Sequence, residues 1–252
     1  MKFGGASVAS PEHFANIAKI IVERKRQYPQ VVVVVSAMAN TTDQLIELAK
    51  KVHPEPPRRE YDMLVSVGER ISISLLAMAL ALLEQEAISF TGSQSGIITS
   101  DDHSEARILE VKPHRLIPHL EQGRVVIVAG FQGVSRKGEI TTLGRGGSDT
   151  SAVALGVALR AEVVEFLKDV EGIFEVDPKK DPAARFFPYL SYQEALGLAM
   201  AGAKILHSRA IELAQKNSLS LRVLPFSCPE KPGTRIGGGD RSETLSFEEC
   251  NP

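Results

Sequence analysis

Tryptophan is absent from the 252 residues, and aromatic residues make up only 6% of them. A surface that stacks nucleic-acid bases needs aromatic faces, so that class is disfavoured. Nor is there an excess of charge of one sign. The formal net charge is −2, which gives no electrostatic reason to expect nucleic acid or an anionic membrane as a partner. Cysteine is scarce: Cys228 and Cys250 make neither a disulfide framework nor a zinc site, and a reducing cytoplasm is the simplest compartment. The first twenty residues lack the apolar core of a signal peptide. The longest nonpolar tract, Ile71 to Leu83, is too short to span a membrane and contains Ser72 and Ser74. It is expected to be a buried helix.

Several catalytic signatures are missing as well. No Gly-x4-Gly-Lys-Ser/Thr occurs, and the loop at Gly144 breaks Gly-x-Gly-x-x-Gly because Asp149 stands at the last glycine's place. No Ser/His/Asp or Cys/His set has a workable spacing. Asp101-Asp102-His103 lacks a second histidine at helical spacing, and His114 and His119 lack partners, so no metal site is assigned.

What is present is an ordinary globular composition, 43% hydrophobic and 24% charged, enough to bury a sizeable core. Val31 to Val35 is an unbroken valine run, as expected of a strand covered on both faces. Val125–Ala129, Val163–Leu167 and Leu221–Phe226 read as further strands, Ile88–Thr91 and Ile97–Thr99 as short ones around a turn at Gly92, and Pro113–Gln122 as a helix. Ser10-Pro11 marks a helix start, and Ser191-Tyr192-Gln193-Glu194 is a capping box. Strand–helix alternation predicts one α/β domain, a three-layer α/β/α sandwich with a mostly parallel central sheet. From Pro229 the chain turns polar and glycine-rich and is expected to be a loose tail.

The stretch around which the chain is organised is Thr141-Thr142-Leu143-Gly144-Arg145-Gly146-Gly147-Ser148-Asp149-Thr150. It follows the apolar Val125–Ala129 run and precedes an alanine-rich helical pattern. Glycines let backbone amides approach a ligand, the helix N-terminus behind them is an anion site, and Arg145 adds a planar fork for a carboxylate or phosphate. Asp149 suits a role in orienting a cation. The competing interpretation is a tight turn with a Ser/Asp N-cap. Lys2, Gly4 and Gly5 form a second small-residue loop before a helix. Ser36 to Asp43 places hydroxyls at a strand's carboxyl end, where open α/β sheets bind ligands, or simply caps the next helix. Glu69, beside the apolar tract, either pairs with Arg70 or Arg107 or receives a substrate ammonium. Glycine and hydroxyl loops at strand ends, with Lys2, Lys204, Arg145, Glu69 and Asp149, are the inventory of phosphoryl transfer, where catalysis is positioning plus charge neutralisation.

Lys2-Phe3-Gly4-Gly5-x-Ser7-Val8, Val33-Val34-Val35-Ser36-Ala37, Gly68-Glu69, Thr142 to Asp149, Asp169-Val170-x-Gly172-Ile173, Asp177-Pro178, Gly202-Ala203-Lys204-Ile205-Leu206-His207 and Pro232-Gly233-Thr234 occur in the order of the aspartate kinase motifs. The chain resembles the catalytic domain of that family, within the amino acid kinases, from residue 2 to about residue 236. The resemblance implies ATP-dependent phosphorylation of the L-aspartate side-chain carboxylate to 4-phospho-L-aspartate, the entry to lysine, threonine and methionine synthesis. It implies that Lys2 neutralises the transferring phosphate, with Asp149 orienting it. Arg145 would clamp the α-carboxylate and Glu69 the α-amino group, while Ser36, Thr42, Gly147 and Ser148 complete the aspartate pocket. Lys2, Gly4, Gly5, Lys168, Asp169, Phe174, Lys179, Lys204 and Ile205 match positions that hold ATP. Magnesium would travel on the phosphates, with no protein metal ligand.

The match has departures. Ala6 stands in place of a usual threonine, Ser208 in place of a proline, and Lys168, Phe174 and Lys179 where the family often has Thr, Tyr and Arg. The resemblance further implies a kinase domain over residues 1–236 and a polar tail over 237–252. No ACT regulatory domains follow, so feedback inhibition by lysine or threonine is not expected of this chain. Partners are expected to be small molecules, with room for a homo-oligomer. Two other functions stay open: a related kinase acting on another small carboxylate, and a non-catalytic ATP- or aspartate-binding subunit.

Overall fold

Four of the five valines from Val31 to Val35 are buried, which requires both faces of their strand to be covered, and the fold supplies both covers. The computed structural model describes residues 1–176, 178, 181, 183–203, 206–237 and 245–249. Among them the chain forms β1 (Lys2–Phe3), α1 (Pro11–Gln27), β2 (Val32–Val35), α2 (Thr41–Val52), α3 (Arg58–Val65), α4 (Val67–Ala81) and β3 (Ala87–Phe90). There follow β4 (Ile97–Thr99), β5 (Ile108–Val111), α5 (Ile117–Glu121), β6 (Val125–Ala129), β7 (Gln132–Ser135), β8 (Ile140–Thr142) and α6 (Gly147–Ala158). The last elements are β9 (Val164–Lys168), β10 (Ile173–Phe174), β11 (Phe186–Phe187), β12 (Tyr189–Leu190), α7 (Tyr192–Met200), α8 (Ser208–Lys216), β13 (Leu221–Pro225) and β14 (Thr234–Ile236).

The central sheet has the order β12-β14-β13-β9-β1-β2-β6-β3. Strands β13 through β3 are mutually parallel, and only β14, with β12 beside it, runs the other way. Alternation along each strand sends neighbours to opposite faces. Val33, Val35, Ile127 and Leu167 pack with Phe14, Ile17 and Ile21 of α1 and Ile73, Leu76 and Leu80 of α4. Val34, Val126, Val128 and Phe166 pack with Val153, Leu155, Ile211 and Leu213 of α6 and α8. The expected three-layer α/β/α sandwich with a mostly parallel sheet is thus formed.

Two helix starts follow their sequence signals. Ser10 caps α1 in a capping box closed by His13, and Ser191 and Glu194 close the box of α7.

Other expectations are corrected. Ile88–Thr91 and Ile97–Thr99 do not pair around Gly92, because β3 joins the central sheet and β4 a separate sheet ordered β5-β4-β7-β8. Gly92 lies so tightly on β7 that a Cβ there would sit 1.9 Å from the Gln132 carbonyl oxygen, so the chain crosses rather than folds back. The β7–β8 hairpin intervenes between β6 and the glycine loop, which therefore follows β8. Pro113–Gln122 divides into a 3-10 turn, Pro113–Arg115, and the short α5, which carries Pro118 in its first turn, where a missing amide hydrogen is tolerated.

The tract Ile71–Leu83 is only half-buried: Ile71, Met78 and Leu82 are exposed. With α3 it gives a helical stretch, Arg58–Ala81, that passes for a membrane span by length and composition, yet it buries Asp62, Ser66, Glu69 and Ser72 against the protein. The loose-tail expectation from Pro229 is also revised. β14 joins the central sheet, and Phe247 packs against the core.

Candidate active site

β1 is the shortest strand of the sheet's middle and is paired on both sides, by β2 and β9. It carries Lys2 into the interior, where the side chain is 6% exposed and Nζ lies 2.6 Å from Asp149 Oδ1. Asp149 projects from the first turn of α6, and its other oxygen lies 3.5 Å from Nζ of Lys168 at the end of β9. Burial works to raise the Asp149 pKa, but Lys2 and Lys168 outweigh it and hold the carboxyl below its ordinary range. Burial lowers the Lys168 ammonium despite Asp149. Two cations share one carboxylate in a place poor in water, so the cluster is short of negative charge. Buried charge is costly unless paired, and a second anion would complete this set.

Glycines without side chains lie close by. A Cβ on Gly4 would stand 3.4 Å from Lys2 Nζ, and one on Gly5 3.4 Å from the Ala37 carbonyl oxygen. The glycine loop needs its glycines for conformation as well: Gly144 has φ +70 and Gly146 φ +73. A Cβ on Gly146 would fall 2.2 Å from the His207 ring. Gly146 is the N-cap of α6 and no side chain caps it, so neither Ser148 nor Asp149 serves the N-cap role open to them from sequence. Ser148 lies against Gly130, where a Cβ would come within 2.9 Å of its Oγ.

Glu69 forms a second polar centre near the same strand ends. It is 2% exposed. It pairs with neither Arg70 nor Arg107. Oε1 accepts the Ala37 amide at 3.1 Å, and Oε2 is buried without a partner among the described residues. Burial raises its pKa to about 7, against the opposing pull of its own and the Ala37 amides. Gly68 makes this approach feasible, since a Cβ there would meet Ala37 Cβ at 2.7 Å. An ammonium group arriving at Oε2 would supply the missing donor.

The remaining candidates are distributed as follows. Ser36 follows β2, with its amide on the Phe3 carbonyl at 3.1 Å. Thr42 is half-buried in the first turn of α2. Asp169 is exposed just beyond Lys168, and Phe174 on β10 stacks edge-on against Phe186 at 5.3 Å. Arg145 is exposed at the loop's tip. No hydrogen bond or ion pair among the described residues ties Thr42, Arg145 or Phe174 to the Lys2–Asp149 pair. Lys179, Lys204 and Ile205, and Asp177 of the quoted motifs, lie outside the described residues.

Asp62 was not legible as a site residue. Fully buried in α3, it accepts hydrogen bonds from Thr142 N at 3.0 Å and Thr142 Oγ1 at 2.7 Å. It also accepts from Ser104 N at 3.0 Å and Ser104 Oγ at 3.2 Å, and pairs with His103 Nδ1 at 2.9 Å. It anchors the strand end from which the glycine loop departs. The sequence held one signal: Asp62 and Glu69 lie two turns apart on one face of an otherwise apolar helical stretch.

The strand ends and helix N-terminus belong to an open α/β fold that gathers Lys2, Asp149 and Lys168 at the carboxyl edge of its sheet, the edge where such folds bind ligands. This chain belongs to the amino acid kinase family, whose profile matches residues 1–225. It is 50% identical over 238 residues to an aspartokinase of Mycolicibacterium smegmatis, across 94% of this chain and 56% of that one. The crystal structure of aspartate kinase from Synechocystis superposes with a TM-score of 0.86 at 44% identity, covering 97% of this chain and 40% of that one. E. coli aspartokinase III in complex with aspartate and ADP gives 0.84 at 27% identity, covering 95% and 64%. The chain thus spans little more than half the length of the M. smegmatis relative.

Proposed function

We propose that this chain is an ATP-dependent kinase that transfers the γ-phosphoryl group to the side-chain carboxylate of L-aspartate, yielding 4-phospho-L-aspartate. The observation that carries this reading is the buried Lys2–Asp149–Lys168 cluster, in which two ammonium groups face one carboxylate with Gly4 close to Lys2 Nζ. A triphosphate terminus supplies the negative charge the cluster lacks. The acceptor carboxylate is already ionised near neutrality, so no general base is required. Its oxygen attacks the γ-phosphorus in line. Lys2 neutralises the oxygens of the group in flight, Asp149 fixes Lys2, and the γ-to-β bridging bond breaks to leave ADP.

Glu69 receives the α-ammonium, Arg145 closes on the α-carboxylate, and Ser36, Thr42, Gly147 and Ser148 line the acceptor pocket. Gly4, Gly5, Lys168, Asp169, Phe174, Lys179, Lys204 and Ile205 serve the nucleotide. Magnesium, when bound with the nucleotide, screens its phosphate charge. Among the described residues no cluster of three His, Cys, Asp or Glu side chains is placed to hold a metal. The setting we infer is the cytoplasm, where both substrates are available.

The test is to mix the protein with Mg-ATP and a panel of small acids and trap acyl phosphate with hydroxylamine. Hydroxamate with aspartate alone supports the reading. Product with a different acid moves the specificity to a related kinase. Binding of ATP and aspartate without product makes the chain a non-catalytic subunit.

A further inference from the structure

Arg209, on α8, does more than staple the returning chain. Its side chain is 19% exposed and that of Glu248 is 8% exposed. The two meet in a bidentate pair, Nε to Oε1 at 2.7 Å and Nη2 to Oε2 at 2.9 Å, the strong fork geometry of guanidinium and carboxylate. Glu248 is itself fixed, with Oε2 accepting the Ile108 amide at 2.7 Å and its own amide donating to the Ile108 carbonyl at 2.9 Å. Ser246, two residues earlier, exchanges hydrogen bonds with Asn217 at 2.8 and 2.9 Å. The guanidinium's other donors go inward. Nη1 reaches the Leu143 carbonyl at 2.5 Å, and Nη2 also reaches that of Ala106 at 3.0 Å.

Leu143 is the residue before Gly144. Its side chain is fully buried and its amide is held by the Phe131 carbonyl at 3.0 Å. Gly144, at φ +70, is free to turn the peptide that joins them. Holding the Leu143 carbonyl fixes that peptide plane, and with it the direction in which Gly144 and Arg145 leave the strand. A mere anchor for the C-terminal segment would not need a donor on this carbonyl.

We propose that Arg209 and Glu248 are positioning residues for the Gly144–Gly147 loop, so that residues 245–249 belong to the substrate-binding apparatus. The kinetic part of this inference rests on the kinase reading above; the structural part does not. Both are tested on the full chain with Glu248→Gln, Arg209→Met and the double variant.

The first readout is the rate of tryptic cleavage at the Arg145–Gly146 bond, followed by mass spectrometry with no ligand present. Cleavage is expected to be several-fold faster in each single variant and no faster again in the double, because Glu248 acts through Arg209. The second readout is the split of kinetic constants. The KM for aspartate is expected to rise about tenfold, as for a misplaced binding group, with the KM for ATP changed by less than about twofold. Glu248→Gln preserves size and one acceptor oxygen, so it decides the matter if Arg209→Met does not fold. A folded Glu248→Gln protein with unchanged cleavage and unchanged aspartate KM overturns the proposal. So do single-variant effects that simply multiply in the double. Accelerated cleavage in a chain that phosphorylates no acid strikes the kinase reading and leaves the positioning role standing.

Discussion

Lys2 Nζ and Asp149 Oδ1, 147 positions apart in the chain, lie 2.6 Å from each other with both side chains more than nine-tenths buried. The contact joins the middle strand of the sheet to the first turn of α6. Replacing Asp149 with Asn keeps the volume but leaves Lys2 and Lys168 facing each other without a counter-charge. Turnover is expected to fall by roughly 10²–10³-fold, the range seen when one preorganised electrostatic contact is lost. Steady-state assay with circular dichroism on the same sample checks this. Near-normal turnover in folded protein removes Asp149 from the mechanism.

Glu69 gives a pH prediction with a definite sign. Its folded pKa, about 7, lies above the ordinary 4.5. Between those values the unfolded chain loses the proton while the folded one keeps it, so this group erodes stability as pH rises from 4.5 to about 7 and no further above that. The total is on the order of 3 kcal/mol. Glu69→Gln should therefore be more stable than the parent near pH 8 and about equal to it near pH 4, as measured by denaturant titration at both pH values. The same substitution should weaken aspartate binding, and in the parent that binding should release protons below pH 7. Calorimetry in buffers of different ionisation enthalpy reads the release.

Asp62→Ala should cost stability through a named cause. It leaves the donors of Thr142 and Ser104 without their buried acceptor. Orphaned buried donors cost about 1–3 kcal/mol each before relaxation. With relaxation and solvent reaching some of these donors, a net loss of roughly 3 kcal/mol lowers Tm by about 6–12 °C in a chain of this size. Asp62→Asn retains one acceptor oxygen and should fall between the two. A melting temperature unchanged in Asp62→Ala contradicts the anchor role.

Gly146→Ala should damage the loop and spare the sheet. The residue sits at φ +73, and a methyl group would collide with the His207 ring. The left-handed backbone alone costs about 1–2 kcal/mol for an L-residue. Activity is expected to drop steeply while far-UV circular dichroism stays that of the parent. Unchanged activity means the loop can be rebuilt without its glycine.

Much of this was legible in the sequence, for physical reasons. The valine run reported a strand covered on both faces, and Ser191 with Glu194 reported a helix start, because both signals are local. The glycine loop was recognisable since positive φ and close approach both demand glycine. Long-range pairings were not legible. Nothing local says that Glu69 meets the Ala37 amide instead of Arg70, or that Asp62 collects donors from two distant segments. The polar stretch after Pro229 misled for the same cause: Thr234 and Glu248 are polar residues whose partners, Phe187, Ile173, Ile108 and Arg209, are remote in sequence.

The most direct test of the central claim follows the label from γ-phosphoryl-labelled ATP in the parent protein and in Lys2→Met, with aspartate present. Hydroxylamine-sensitive label is expected on aspartate in the parent, and about a hundredfold less of it or lower still in Lys2→Met. Label released only as inorganic phosphate, or equal aspartyl phosphate from both proteins, would contradict that claim.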